Sequence, residues 1–143
     1  GSGGMSFLIC GELQAAVWRR LSEDPVISGL VATAIYDGPP DGAPNALPDD
    51  YVTLGEETAR PNNTKTSLGA VHDFEVVVHS RREGFDSAKR IAGAICAALV
   101  DAPLTVEGGV LVGLRFLLAK ATRGPAPEKR QVTLRFRAVL DQN

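Results

Sequence analysis

A chain of 143 residues with 44% apolar and 22% charged side chains has the size and balance of one folded domain, which removes roughly 68–70% of the unfolded surface from water. That balance excludes wholesale disorder and a coiled coil. Fifteen basic and 17 acidic residues, spread along the chain, leave a net charge of −2, so there is no basic stripe on which a dedicated nucleic-acid reader would rest. No apolar run reaches the roughly 18 residues of a membrane span, because Arg115 and Lys120 interrupt the richest stretch, and a soluble protein with no membrane partner is expected.

Gly1 to Gly4 ahead of Met5 look like a cloning remnant rather than a leader, which would need a charged segment followed by an apolar one. Residues 5–143 are expected to form the single domain. From about Phe7 to Leu21, Cys10, Leu13, Val17 and Leu21 recur at the spacing of one helix face, predicting a helix packed on a sheet. Asp24 and Pro25 then restart the chain as cap and first helical residue of a short helix reaching about Val31. A brief strand is expected at Ala34 to Asp37.

Gly38 to Asp50 is rich in glycine, proline, asparagine and aspartate and reads as an exposed loop. A second loop is expected at about Thr58 to Gly69, where almost nothing is apolar. Both approach the roughly 12–15 residues at which loops become uncommon in compact domains unless they serve a purpose or stay disordered. Between them, Val52 and Leu54 alternate with Tyr51 and Thr53 in a short, half-buried strand ending in Gly55, Glu56 and Glu57. The next strand sets Phe74, Val76 and Val78 on one face against Asp73, Glu75 and His79 on the other.

Arg81 to Gly84 turn the chain, and Asp86 or Ser87 is expected to cap a helix whose Ala88, Ile91, Ala92, Ile95 and Leu99 share a face. Its alanines and Gly93 make it slim enough to approach a neighbour closely, although helix propensity alone also favours alanine. Pro103 is expected to stop this helix, with a short strand at Leu104 to Val106 before a Gly108–Gly109 hairpin turn. Val110, Val112, Leu114, Phe116 and Leu118 then predict one face of a long strand. Val132, Leu134, Phe136, Ala138 and Leu140 predict one face of the last, whose other face carries Gln131, Thr133, Arg135 and Arg137. The turn from Arg123 to Glu128, holding Pro125 and Pro127, should join these two strands as an antiparallel pair. The fold class expected is α+β: a mostly antiparallel sheet of about four to six strands against two main helices.

Catalytic patterns are absent from the string. His72 and His79, seven residues apart on one strand, point to opposite faces and cannot share a metal. Cys10 and Cys96 fall on apolar helix stripes and read as buried, reduced thiols. The neighbouring carboxylates Asp49 and Asp50, and Glu56 and Glu57, project apart on extended backbone and read as solvated charge. The glycines at Gly108, Gly109 and Gly113 lack the lysine and helix of a phosphate loop. No catalytic, cofactor or metal residue is therefore expected. Short basic clusters at Arg81 with Arg82 and at Lys129 with Arg130 read as solvated strand ends, with contact to an acidic partner as the alternative.

The order of these pieces resembles the tail-terminator, or tail-completion, family of long-tailed bacteriophages and gene transfer agents. The resemblance covers nearly all of Phe7 to Leu140. It rests on Asp24, Pro25, Val26, Ile27, Leu30 and Val31 leading into Ile35, Tyr36 and Asp37. A proline-bearing loop follows, then Tyr51, Val52, Leu54, Gly55 and Glu56, with Asp49 and Asp50 inserted after Pro48. Next come Val76, Val77, Val78, His79 and Ser80, with His79 where the family often has tryptophan, then the Gly84 turn and the helix from Ala88 to Leu99.

The resemblance implies a virion structural protein, not an enzyme, that forms a ring, typically of six copies, on the last ring of the tail tube. Such a ring halts tube growth and allows head joining. Its implied partners are further copies of itself, the tail tube protein and a head-completion or stopper protein of the neck. The subunit can remain a monomer until it meets the tube. DNA passes through the channel without specific binding, and the ring is assembled in the bacterial cytoplasm and carried in the tail or neck. Another head-tail connector or minor tail protein, such as a head-completion adaptor, and then a small ligand-binding domain or enzyme, are the alternatives. Arg60, Asn62, Asn63 and Lys65 in one polar loop, and Arg123, Glu128, Lys129 and Arg130 around the other turn, are the candidate protein-interface residues, ordering on contact.

Overall fold

The computed structural model describes residues 2–36, 48–61, 69–100, 104, 106, 109–123 and 130–142. Three helices and five strands follow one another as α1 (Ser2–Glu23), α2 (Pro25–Val31), β1 (Ile35–Tyr36), β2 (Asp50–Pro61), β3 (Gly69–Ser80), α3 (Asp86–Leu99), β4 (Gly109–Thr122) and β5 (Arg130–Gln142). The strands form one sheet in the order β1-β2-β3-β5-β4. Only the β1–β2 pair is parallel, and the three others are antiparallel. The expected α+β class and the β4–β5 pairing therefore stand.

The core lies between the helices and one face of the sheet. Leu13, Ala16, Val17 and Leu21 of α1 and Ala88, Ile91, Ala92, Ile95, Ala98 and Leu99 of α3 bury against Val52, Leu54, Phe74, Val76, Val78, Val132, Leu134, Phe136, Ala138 and Leu140. The helical and two-residue periodicities of the sequence are what place these groups on one surface, each fully buried Leu, Ile or Phe contributing about 1.5–3 kcal/mol. Arg20 Nε closes the α1–α3 contact on the carbonyl of Ala98 at 3.0 Å.

Helix α1 starts at Ser2 rather than near Phe7. Asp24 caps α2 as expected, its Oδ1 accepting from the amides of Val26 at 2.9 Å and Ile27 at 3.1 Å. The chain then turns through Ala32, whose φ of 53° and ψ of −120°, with the Ala34 amide donating to Val31 O at 3.0 Å, give the first corner of a type II′ turn. Glycine is the natural occupant there, and a side chain strains the backbone. Ala32→Gly should raise unfolding stability by about 1 kcal/mol, read as a higher urea midpoint at unchanged slope.

Several expectations shift. Helix α3 is capped by neither Asp86 nor Ser87: its N-cap is Phe85, without a side-chain bond, because the Ser87 hydroxyl is directed elsewhere. Strand β2 does not stop at the acids. It passes a bulge between Leu54 and Glu57 and pairs with β3 as far as Pro61, so Thr58–Pro61 is strand rather than loop. Tyr51 and Thr53 are buried along with Val52 and Leu54, because Tyr51 stacks on His79 at 4.6 Å and meets Tyr36 edge-on at 5.9 Å. Leu104 and Val106 belong to no strand, although Val106 is buried. The loop at 38–47, Pro103, Gly108 and the turn at 124–129 lie outside the described residues.

The single apolar face expected for β4 is also broken. Bulges at Leu111/Gly113 and Phe116/Leu118 reset its register on β5, since each extra residue flips the phase of the pleat. Leu111, Leu114 and Phe116 pair with the core positions Leu140, Ala138 and Phe136, whereas Leu118 pairs with Arg135 and Val110 with Asp141 on the opposite face.

Candidate functional site

Two edges of the sheet remain available for pairing. On one side β1 covers only Val52 and Thr53, leaving the rest of β2 as an edge. On the other side β4 has a partner only in β5 among the described strands. Unpaired amides and carbonyls along such an edge are a template for another chain.

The apolar surface follows the same division. Among the described residues six large hydrophobic side chains are exposed: Val110, Val112, Phe116 and Leu118 on β4, and Trp18 and Val26 on α1 and α2. Trp18 Nε1 donates to the carbonyl of Ile35 on β1 at 3.0 Å, which fixes the indole at the edge opposite β4. Between α3 and β4 runs a groove of about 350 Å³, lined by Lys89, Ala92, Gly93 and Cys96 of the helix and by Phe116, Ala119 and Ala121 of the strand. Val132 and Leu134 also line it. Cys96 is half-buried rather than fully buried, and burial pushes its thiol up. The side chain of Cys10 lies outside the described residues.

On the face away from the helices the charges are laddered. Arg137 holds Asp73 through Nε at 2.8 Å and a second nitrogen at 3.1 Å, with Arg60 at 3.4 Å, and Arg135 holds Glu75 at 2.8 Å. The Arg137 guanidinium is the main cause holding the Asp73 carboxyl below its ordinary range, against an opposing push from burial. Cross-strand pairs of this kind fix register more than they add stability at an exposed surface.

One buried carboxylate organises an end of the sheet. Asp50, only 8% exposed, accepts from Ser80 Oγ at 2.6 Å, Ser87 Oγ at 2.7 Å and Arg82 Nε at 2.8 Å. It thereby ties the start of β2 to the end of β3 and the first turn of α3. The solvated charge expected of this acidic pair holds for exposed Asp49 but not for Asp50. The same correction applies within the next acidic pair: Glu56 is exposed, but the bulge turns Glu57 toward the core face, where its Oε1 lies 3.7 Å from Nδ1 of fully buried His72. His72 and His79 do occupy opposite faces, as the strand period requires.

The candidate interface residues fall at opposite ends of the subunit. Arg60 is exposed where β2 pairs with the beginning of β3. Arg123 is exposed just after β4, and Arg130, half-buried, sets its guanidinium 5.1 Å from the centre of the Phe85 ring near the end of β3. Asn62, Asn63, Lys65, Glu128 and Lys129 lie outside the described residues. The exposed apolar strand β4 and Trp18 were missed as candidates, because a period-two run predicts burial and gives no sign that the strand will be an edge.

A single-sheet α+β subunit that presents two unlike edges is the class these features define. The chain belongs to the tail completion protein gp17 family, whose sequence model matches residues 15–141. Among solved structures it is similar to a chain from the virion of a native gene transfer agent particle, at 44% identity and a TM-score of 0.85, covering 95% of this chain and 99% of that one. No curated protein sequence matches. The expected family and fold are thus both found, and with them a phage or gene-transfer-agent tail structural protein.

Proposed function

We propose that the protein assembles as a closed ring on the end of the tail tube, where it stops tube growth and prepares the tail for head joining. The observation that carries this is the pair of unlike open edges on one sheet, β2 and β4. A contact between unlike surfaces is heterologous, and it closes into a ring when the rotation between neighbours divides the circle. The similarity to a chain of a gene transfer agent virion supports placing it in the tail or neck of such a particle. Six copies are the number the family resemblance implies.

The polar ends of the subunit then face along the tail axis. One end carries Arg60 and the other Arg123 and Arg130; Asn62, Asn63, Lys65, Glu128 and Lys129, outside the described residues, are proposed as interface residues with them. These ends contact the tube protein and the head-completion protein of the neck. DNA passes through the channel unread, and the subunit acts by shape and adhesion rather than by catalysis.

Electron microscopy of particles made without this protein tests the reading. Overlong or headless tails are expected, restored to uniform length by supplying the protein. Particles of normal length with heads attached would refute it, and tails of normal length without heads would favour an adaptor further up the neck.

A further inference from the structure

We propose that the groove between α3 and β4 of one copy receives the Trp18 corner of the next, and that this contact is the repeated joint of the ring. The inference rests on the ring reading above and names the surfaces that make it.

The groove exists because its walls are small. Ala92 and Gly93 on α3 face Ala119 and Ala121 on β4 across the space, and a side-chain carbon placed on Gly93 would meet nothing within 4 Å. Phe116 lies along it 41% exposed, although its ring already meets Phe136 edge-on at 5.9 Å. A phenylalanine left this open over a packed core is available as one half of a further aromatic contact. Isolated apolar exposure is ordinary; what singles out Phe116 is that it opens onto the groove, whereas Val110 and Leu118 lie on the other face of β4.

Trp18 supplies the matching half. Its only polar atom is occupied by Ile35 O, so the remainder of the exposed indole is hydrocarbon that needs no hydrogen-bonding partner. Such a ring suits a cleft walled by alanine and phenylalanine, with its polar tip kept outside. One pair of opposite charges is available at the rim, although exposed Arg19 also flanks Trp18. Lys89 lines the groove and is exposed, whereas exposed Glu23 ends the helix that carries Trp18. Opposite charges at the rim of an apolar contact set its orientation more than its strength.

The geometry also selects a second copy as occupant. Trp18 is tied to β1, and β1 and β4 are the two ends of the strand order. One subunit therefore presents the projection on one edge and the receptacle on the other, so every bound neighbour offers a fresh groove. A twofold dimer would need both on the same patch.

The test uses variants supplied to particles lacking the native protein. Gly93→Leu fills the groove from its own helix while raising helix propensity, so the subunit should melt no lower than the parent and yet restore at least tenfold fewer joined particles. Lys89→Glu, a surface change, should lower joined particles several-fold, and Glu23→Lys added to it should recover most of that loss. If Gly93→Leu and Lys89→Glu both restore particles as well as the parent, the groove is not the joint. If particles without the protein are already normal, the ring reading fails and the joint with it. A Lys89→Glu defect that Glu23→Lys leaves unchanged would overturn the Glu23 pairing.

Discussion

Asp50→Asn should destabilise the protein by about 3 kcal/mol, a large fraction of the 5–15 kcal/mol that holds a domain of this kind together. The carboxylate accepts three donors in a site it shares with the backs of β3 and α3. An amide in its place keeps one acceptor oxygen and puts a donor where the other stood, so a serine hydroxyl must turn from donating to accepting and the charge paired with Arg82 is gone. Hydrogen bonds to a charged group are worth about 1.5–3 kcal/mol each, but exposed Arg82 can turn to water, which keeps the loss well short of the sum. Equilibrium urea unfolding measures it, and a change under about 0.5 kcal/mol would mean the hub is dispensable. A double-mutant cycle should show Ser80→Ala costing less in the Asp50→Asn background than in the parent, because the charge its hydroxyl bonds has already gone.

The same site predicts acid sensitivity. Burial pushes the Asp50 carboxyl up, but the bonds from Ser80, Arg82 and Ser87 together outweigh it and hold it below the ordinary 3.8. The folded protein therefore releases this proton more readily than the unfolded chain, so the stabilisation is complete above about pH 4 and is lost as the pH falls through the folded value.

Asp50 also marks where sequence ceases to be informative. Its three partners lie 30, 32 and 37 residues away, and a Pro-Asp-Asp string reads locally as a turn. Nothing in that string reveals that the second aspartate faces inward. By contrast, the buried face of α3 and the inward row of β5 were legible, because each is an uninterrupted run of one period on an element packed on a single side. Strand β4 carried an equally clean alternation and misled. Its edge position follows from β5 lying between it and β3, and its bulges belong to its pairing with β5, long-range arrangements that no local window encodes. Strand β2 outruns its local signal for a related reason: Ala59 and Pro61 have little strand propensity of their own and are held in register by the 12-residue partner β3.

Gly55 and Gly84 show motif letters acquiring a cause. Gly55 sits in the β2 bulge with the Cβ of Glu75 only 3.3 Å from where its own would be, and Gly84 turns with a φ of +77°, which side chains rarely adopt. The glycine-glutamate and turn-glycine positions of the family pattern are thus a close approach of two strands and a left-handed corner. His79, which stands where the family often has tryptophan, has a cause as well. Its ring stacks on Tyr51 with the two planes 10° apart, and its Nε2 lies 2.9 Å from Thr53 Oγ1. A flat ring is what the site requires, and imidazole supplies one at the expense of becoming titratable.

That substitution should make stability fall as the pH drops from about 6.5 to about 4. Burial disfavours the imidazolium and lowers His79 from 6.5 to about 4. Across that interval the unfolded chain takes up a proton that the folded protein refuses, so unfolding gains free energy with each step toward acid. The full shift would correspond to about 3 kcal/mol at 1.36 kcal/mol per unit, and solvent at the open edge of the ring screens it to about 1–2 kcal/mol. Replacing His79 with phenylalanine keeps the stack on Tyr51 and removes the proton site. It should therefore flatten the unfolding free energy between pH 6.5 and 4 while losing about 1 kcal/mol at pH 7 from the Thr53 contact. The window differs from that of Asp50 and Asp73, whose contributions change only below about pH 4, so urea midpoints at pH 7, 5.5 and 4.5 for parent and variant separate the two causes. Equal slopes for the two proteins over that range would show that His79 titrates alike in both states and that burial exerts no control over its charge.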